Sequence, residues 1–152
     1  MRRYLFSFAA LVLALVVVAP ASAKQSVNVT IRHEVKGCHA WSVNGGPFQA
    51  AQSLRVKPGA VVTITNTDVM SHQLVQQAGF HVAFKNLAAP ANAIGDKGPY
   101  KAGDMAKIGA GTRLVLSKPG TYRFTTKGGE DYMKGVKTVG EDNVLELTIV
   151  VA

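Results

Sequence analysis

Cysteine is all but missing from this chain: 152 residues contain one, Cys38. A lone thiol closes no internal disulfide, so the fold must be held by its core. Aromatic residues are also few, 7% of the chain, and they do not alternate with basic residues. Acidic residues number 9 against 17 lysines and arginines, yet the excess is scattered and forms no block of one sign. That pattern excludes nucleic acid as a partner and describes a soluble basic surface. No apolar run beyond residue 23 is long enough to cross a bilayer, so no stable span is expected once a leader is removed. Absent too are a nucleophile-elbow serine, a phosphate-cradling glycine loop and a paired-carboxylate cleft. Cys38 and His39 are chain neighbours, which is not how a nucleophile meets its base. The chain is therefore not read as an enzyme.

What is present begins with a leader. Met1-Arg2-Arg3 is positive, Leu11 to Val18 is purely apolar, and Ala21-Ser22-Ala23 has the small-x-small pattern of a signal-peptidase site. Residues 1–23 are expected to be a signal peptide, and residues 24–152 one exported domain, periplasmic or extracellular. The formal charge of +8 falls to +6 when Arg2 and Arg3 leave. A basic face suits docking onto an acidic redox partner or an anionic surface. In an exported protein a single thiol survives by burial as a small hydrophobe or by metal ligation, and both readings of Cys38 stand.

The remaining chain reads as strands and turns. Val27, Val29 and Ile31 alternate with Asn28, Thr30 and Arg32. Leu54–Lys57 runs into Pro58-Gly59 and returns as Val61–Thr65, and Arg113–Lys118 runs into Pro119-Gly120 and returns as Thr121–Thr125. Each is hairpin-like, with a Pro-Gly turn. Val144–Val150 makes a closing strand. Residues 76–111, rich in Ala, Gly, Lys and Pro, form a long excursion with one short helix expected. The fold class is all-β, a Greek-key β-sandwich.

If the two Pro-Gly turns point the same way, the loops 36–52, 67–78 and 127–143 meet at the opposite end, roughly 20 Å away. They carry Cys38, His39, Met70, His72, Glu130, Asp131 and Met133.

Two stretches then resemble a known family. Leu54-Arg55-Val56-Lys57-Pro58-Gly59-Ala60-Val61-Val62-Thr63-Ile64-Thr65-Asn66-Thr67-Asp68, followed by Ser71-His72-Gln73-Leu74, is similar to the cupredoxin (plastocyanin/azurin-like) stretch. There a strand ending in Asn-x-Asp delivers the first copper histidine, and His72 falls on it. Lys118-Pro119-Gly120-Thr121-Tyr122-Arg123-Phe124 resembles the second signature, which continues into Cys, His and Met. Together they make up about a fifth of residues 24–152 and bracket residues 54–124, about half of it. The resemblance implies a cupredoxin-like sandwich and copper as cofactor. It also marks a departure: Thr126 stands where the copper cysteine belongs, Gly129 where the second histidine belongs, and Met133 lies about one position before the axial methionine.

The site is then either lost or rebuilt from other residues. Cys38 and His39 in the first loop and Glu130 in the last are the replacements, on the convergence of the loops alone. A thiolate, an imidazole and a thioether from Cys38, His72 and Met70 or Met133 make a soft set suited to Cu(I) and tolerant of Cu(II). Glu130 in place of a weak methionine would favour Cu(II) and lower the potential. On a strand, Cys38 and His39 face opposite ways, so both ligate only if the backbone turns between them. Trp41 and Tyr132 are expected to pack around the site or the core, and His33 and His81 to be ordinary surface or satisfied histidines.

Three functions are compatible with these residues: single-electron transfer through a thiolate–copper site, carriage of Cu(I), or a metal-free interaction module. The partners expected are a redox protein or a copper donor or acceptor, and the chain is expected to be a monomer.

Overall fold

The alternation read in the sequence is the alternation that folds. In the computed structural model, which describes residues 23–33, 39–95, 100–127 and 145–152, strand β1 (Ser26–His33) buries Val27, Val29 and Ile31 and turns Asn28 and Arg32 outward. The same period of two holds in β4 (Ala60–Asn66), β8 (Gly111–Leu116) and β10 (Glu146–Val151). The remaining strands are β2 (His39–Val43), β3 (Ala51–Val56), β5 (His72–Ala78), β6 (Lys85–Leu87), β7 (Asp104–Met105) and β9 (Gly120–Lys127).

They form two five-stranded mixed sheets, ordered β2-β1-β4-β8-β6 and β3-β10-β9-β5-β7. Pairing is parallel for β1 with β4 and for β3 with β10, and antiparallel elsewhere. Every connection from β2 through β9 changes sheet, so the two layers are laced together along most of the chain. Ile31, Ile64, Leu114, Tyr122, Phe124, Leu147 and Ile149 fill the space between them with almost no exposure. Each such side chain contributes about 1.5–3 kcal/mol by leaving water. Trp41 belongs to this core; its Nε1–H donates to the carbonyls of Ala50 at 3.0 Å and Glu146 at 3.1 Å, pinning β2 to the start of β10.

The fold class stands as an all-β sandwich, with two corrections of detail. The hairpin-like pairs are not hairpins: β3 and β4 lie in different sheets, as do β8 and β9, so each Pro-Gly turn bridges the layers. Alternation reports which face is buried, not which strand is the partner. The excursion contains no helix among its described residues; its short strands β6 and β7 instead extend one edge of each sheet.

Both Pro-Gly turns do point the same way. Ala60 pairs with Leu116 in the β4–β8 ladder, and the Gly59 N–H donates to the Leu116 carbonyl at 2.7 Å. Lys57 to Ala60 closes as a turn, with Ala60 N–H donating to the Lys57 carbonyl at 3.1 Å and Gly59 at φ 84°. That left-handed φ at the residue after proline is why glycine sits there. At the other end β1 and β4 finish, β2 and β5 begin, β9 finishes and β10 begins.

Candidate metal centre

The site end is organised by Asn66. Its backbone is fixed by hydrogen bonds with Ala110 and Gly109. Its side-chain amide donates to the carbonyls of Met70 at 2.8 Å and Met105 at 2.9 Å, and its Oδ1 accepts the Asp68 N–H at 2.8 Å. An asparagine closing on the amide two residues ahead is a local turn that competes with continued strand, so β4 stops here. Thr67 ties the turn to β1 through its N–H and its hydroxyl, both donating to the Ile31 carbonyl at 2.8 Å.

The turn carries Asp68 inward, to 2% exposure. Its Oδ1 accepts the Met70 N–H at 3.0 Å. Its Oδ2 lies 2.7 Å from His39 Nδ1, a strong hydrogen bond, and 3.5 Å from His72 Nε2, at the outer limit of one. His39 opens β2 and His72 opens β5, so one carboxylate oxygen joins two imidazoles from the two sheets. The rings of His39 and His72 stand edge to face, centroids 4.7 Å apart and planes at 90°. Both histidines are buried. On β1, His33 pairs with His39 in register, with ring centroids 5.8 Å apart.

Burial pushes the His39 pKa below the usual histidine value, helped by repulsion from His72, and its hydrogen bond to Asp68 only partly offsets this. For Asp68 burial alone would raise the carboxyl; the hydrogen bonds from His72, the Met70 amide and His39 outweigh it and hold the group below the ordinary carboxylate range. Near neutral pH the centre is thus a carboxylate beside a neutral His39. A carboxylate accepts, so His39 donates through Nδ1 and keeps its lone pair on Nε2. His72 turns its Nε2 toward the same oxygen, which leaves Nδ1 on the other side of its ring. His39 Nε2 and His72 Nδ1 are buried side-chain atoms with no hydrogen-bond partner among the described residues. A buried acceptor left unsatisfied is costly. Two of them, on imidazoles oriented by a shared carboxylate, match the way metal-binding histidines are held.

The sequence candidates divide accordingly. His39 and His72 come together. Met70 lies half-buried in the turn between Asp68 and His72, its backbone amide and carbonyl both engaged. Cys38, Glu130 and Met133 lie outside the described residues, as do Asp131 and Tyr132. The expected loop 67–78 is in fact a short turn followed by β5, and 36–52 contains β2. Two residues escaped the sequence reading. Asp68 was visible only as the last letter of Asn-x-Asp. His33, expected to be an ordinary surface or satisfied histidine, is exposed and directly opposite His39; the signal was its place at the end of a strand facing another histidine-bearing strand.

No protein-family model and no curated protein matches the chain. Among solved structures, the inclusion body protein PixA from Burkholderia cenocepacia aligns over 89% of this chain and 100% of its own, with a TM-score of 0.51 and 11% identity. The multicopper oxidase from Campylobacter jejuni aligns over 90% of this chain and 32% of its own (TM-score 0.47, 11% identity). An amicyanin variant in its Cu(I) form aligns over 81% and 80% (TM-score 0.37, 14% identity). The first similarity is one of fold. The two copper proteins are more distant in shape, and the assignment of a site rests on this chain's own residues.

Proposed function

We propose that this chain is an exported copper-binding protein that passes single electrons through a thiolate–copper centre whose ligands have moved from the usual loop. The observation that carries the reading is the pair of buried nitrogens, His39 Nε2 and His72 Nδ1, unpartnered among the described residues, on imidazoles oriented by Asp68. His39 and His72 would hold the ion, with Cys38 supplying the thiolate and Met70, Met133 or Glu130 a further, weaker ligand. Copper supplies one-electron chemistry between Cu(I) and Cu(II) in such a set. The protein's part is to keep the donors where they are. Asp68 fixes which nitrogen of each ring is free, and the two sheets hold β2 and β5 so that little has to move between oxidation states. The leader-like residues 1–23 support export.

The test is the visible spectrum of the chain loaded anaerobically with Cu(II), beside Cys38→Ser and His72→Gln. An intense thiolate-to-copper band that disappears in Cys38→Ser and is lost or shifted in His72→Gln is expected. Absence of a band, together with no tight binding of either copper oxidation state, overturns the reading.

A further inference from the structure

The register of the first sheet brings a second set of donors together. β1 and β2 pair antiparallel with His33 opposite His39, and β1 and β4 pair parallel with Ile31 opposite Asn66, two residues before Asp68. Three adjacent strands therefore present an imidazole, an imidazole and a carboxylate at one end of one sheet. One ligand atom from each of His33, His39 and Asp68 lies within 4.8 Å of the other two. His33 is exposed while His39 and Asp68 are buried, so the cluster runs from solvent into the protein. It contains no sulfur and does not include His72, and these two properties separate it from the copper centre proposed above.

We infer that His33, His39 and Asp68 form an outer cation site that takes a divalent first-row ion from solvent. Two imidazoles and one carboxylate are borderline-hard donors. That set suits Zn2+ or a similar divalent ion, not Cu(I), which would favour a thiolate or thioether. Three protein ligands leave coordination positions for water, which the exposed side of His33 provides. The set depends on strand register. A slip of one residue between β1 and β2 would turn His33 and His39 to opposite faces of the sheet. Both sites draw on His39 and so compete for it, and the outer site is therefore read on copper-free protein.

Zn2+ alone is the probe, titrated into the metal-free full chain in competition with a chromophoric zinc chelator, for wild type, His33→Gln and His72→Gln. His33→Gln is expected to weaken zinc about tenfold or more, with His72→Gln within about threefold of wild type. Zinc should also shift the ring-nitrogen resonances of His33 and His39 in the wild-type chain more than those of His72, which only adjoins the ligands, a readout independent of how any variant folds. The inference is overturned if wild type binds no zinc, if His33→Gln binds it like wild type, or if His72→Gln loses as much as His33→Gln. None of these results alters the Cys38-dependent copper band, so the two readings fail separately.

Discussion

The two ends of the sandwich are built on different terms. At the Pro-Gly end the chain turns tightly, the turn amides of Gly59 and Ala60 find carbonyls, and the Tyr122 hydroxyl donates to the Lys118 carbonyl at 2.7 Å. At the histidine end a carboxylate and two imidazoles are shut away from water, with two ring nitrogens unsatisfied among the described residues. The strands are common to both ends, so burial of the core cannot explain the difference. One end is optimised for closing the fold. The other carries buried charged and polar groups of a kind that well-packed apolar residues often replace without loss of stability, so its upkeep is not explained by closing the fold.

The sharpest way to break this comparison is to fill the cluster. A triple variant, His39→Leu, His72→Leu and Asp68→Asn, keeps an acceptor for the Met70 amide, removes the charge and both unpartnered ring nitrogens, and leaves one amide N–H2 facing the leucines. Its metal-free form should be at least as stable as wild type, by up to about 1–4 kcal/mol in urea unfolding, while copper binding is lost. Marked destabilisation would mean that the cluster holds this end together. At the other end, Gly59→Ala forces a side chain into a left-handed conformation and should cost about 1–2 kcal/mol, with the copper spectrum unchanged. Tyr122→Phe removes one hydrogen bond there and should cost about 0.5–1.5 kcal/mol by the same measurement, again without touching the metal.

The gentlest perturbation is pH. The folded pKa of His39 is lowered, so its contribution to stability is complete above the unfolded value near 6.5 and declines as the pH falls below it. The folded pKa of Asp68 is also lowered, so its contribution is present above the unfolded value near 3.8 and is lost only in stronger acid. The metal-free chain should therefore weaken in two steps on acidification, and Asp68→Asn should lack the lower one. A single step unchanged by Asp68→Asn would place the acid-sensitive groups elsewhere.

Much of this difference between the ends could be read before any coordinates. The apolar alternation of Val27, Val29 and Ile31 gave the buried face of β1, and the repeated Pro-Gly turns gave one end of the sandwich. His72 followed from the Asn-x-Asp stretch, and His39 from the convergence of loops. The partners of the strands were not legible, because Leu54 and Val56 look alike whether β3 pairs with β4 or packs across from it. Asp68 was passed over because an acid after a strand is normally a solvated turn residue; its burial comes from Thr67 gripping β1, a tertiary contact. His33 was passed over because it is exposed, and only the pairing of β1 with β2 shows what it faces.

The parallel pairings have one more consequence. Because β1 runs alongside β4 and β10 alongside β3, Gln25 and Ala152 both sit at the Pro-Gly end, hydrogen-bonded to Val61 and Val56. Anything attached beyond either residue, whether a tether, an affinity handle or an electrode linker, starts about 20 Å from the histidines. An attachment made beside Gln25 or Ala152 would leave the histidine end on the far side of the sandwich from it.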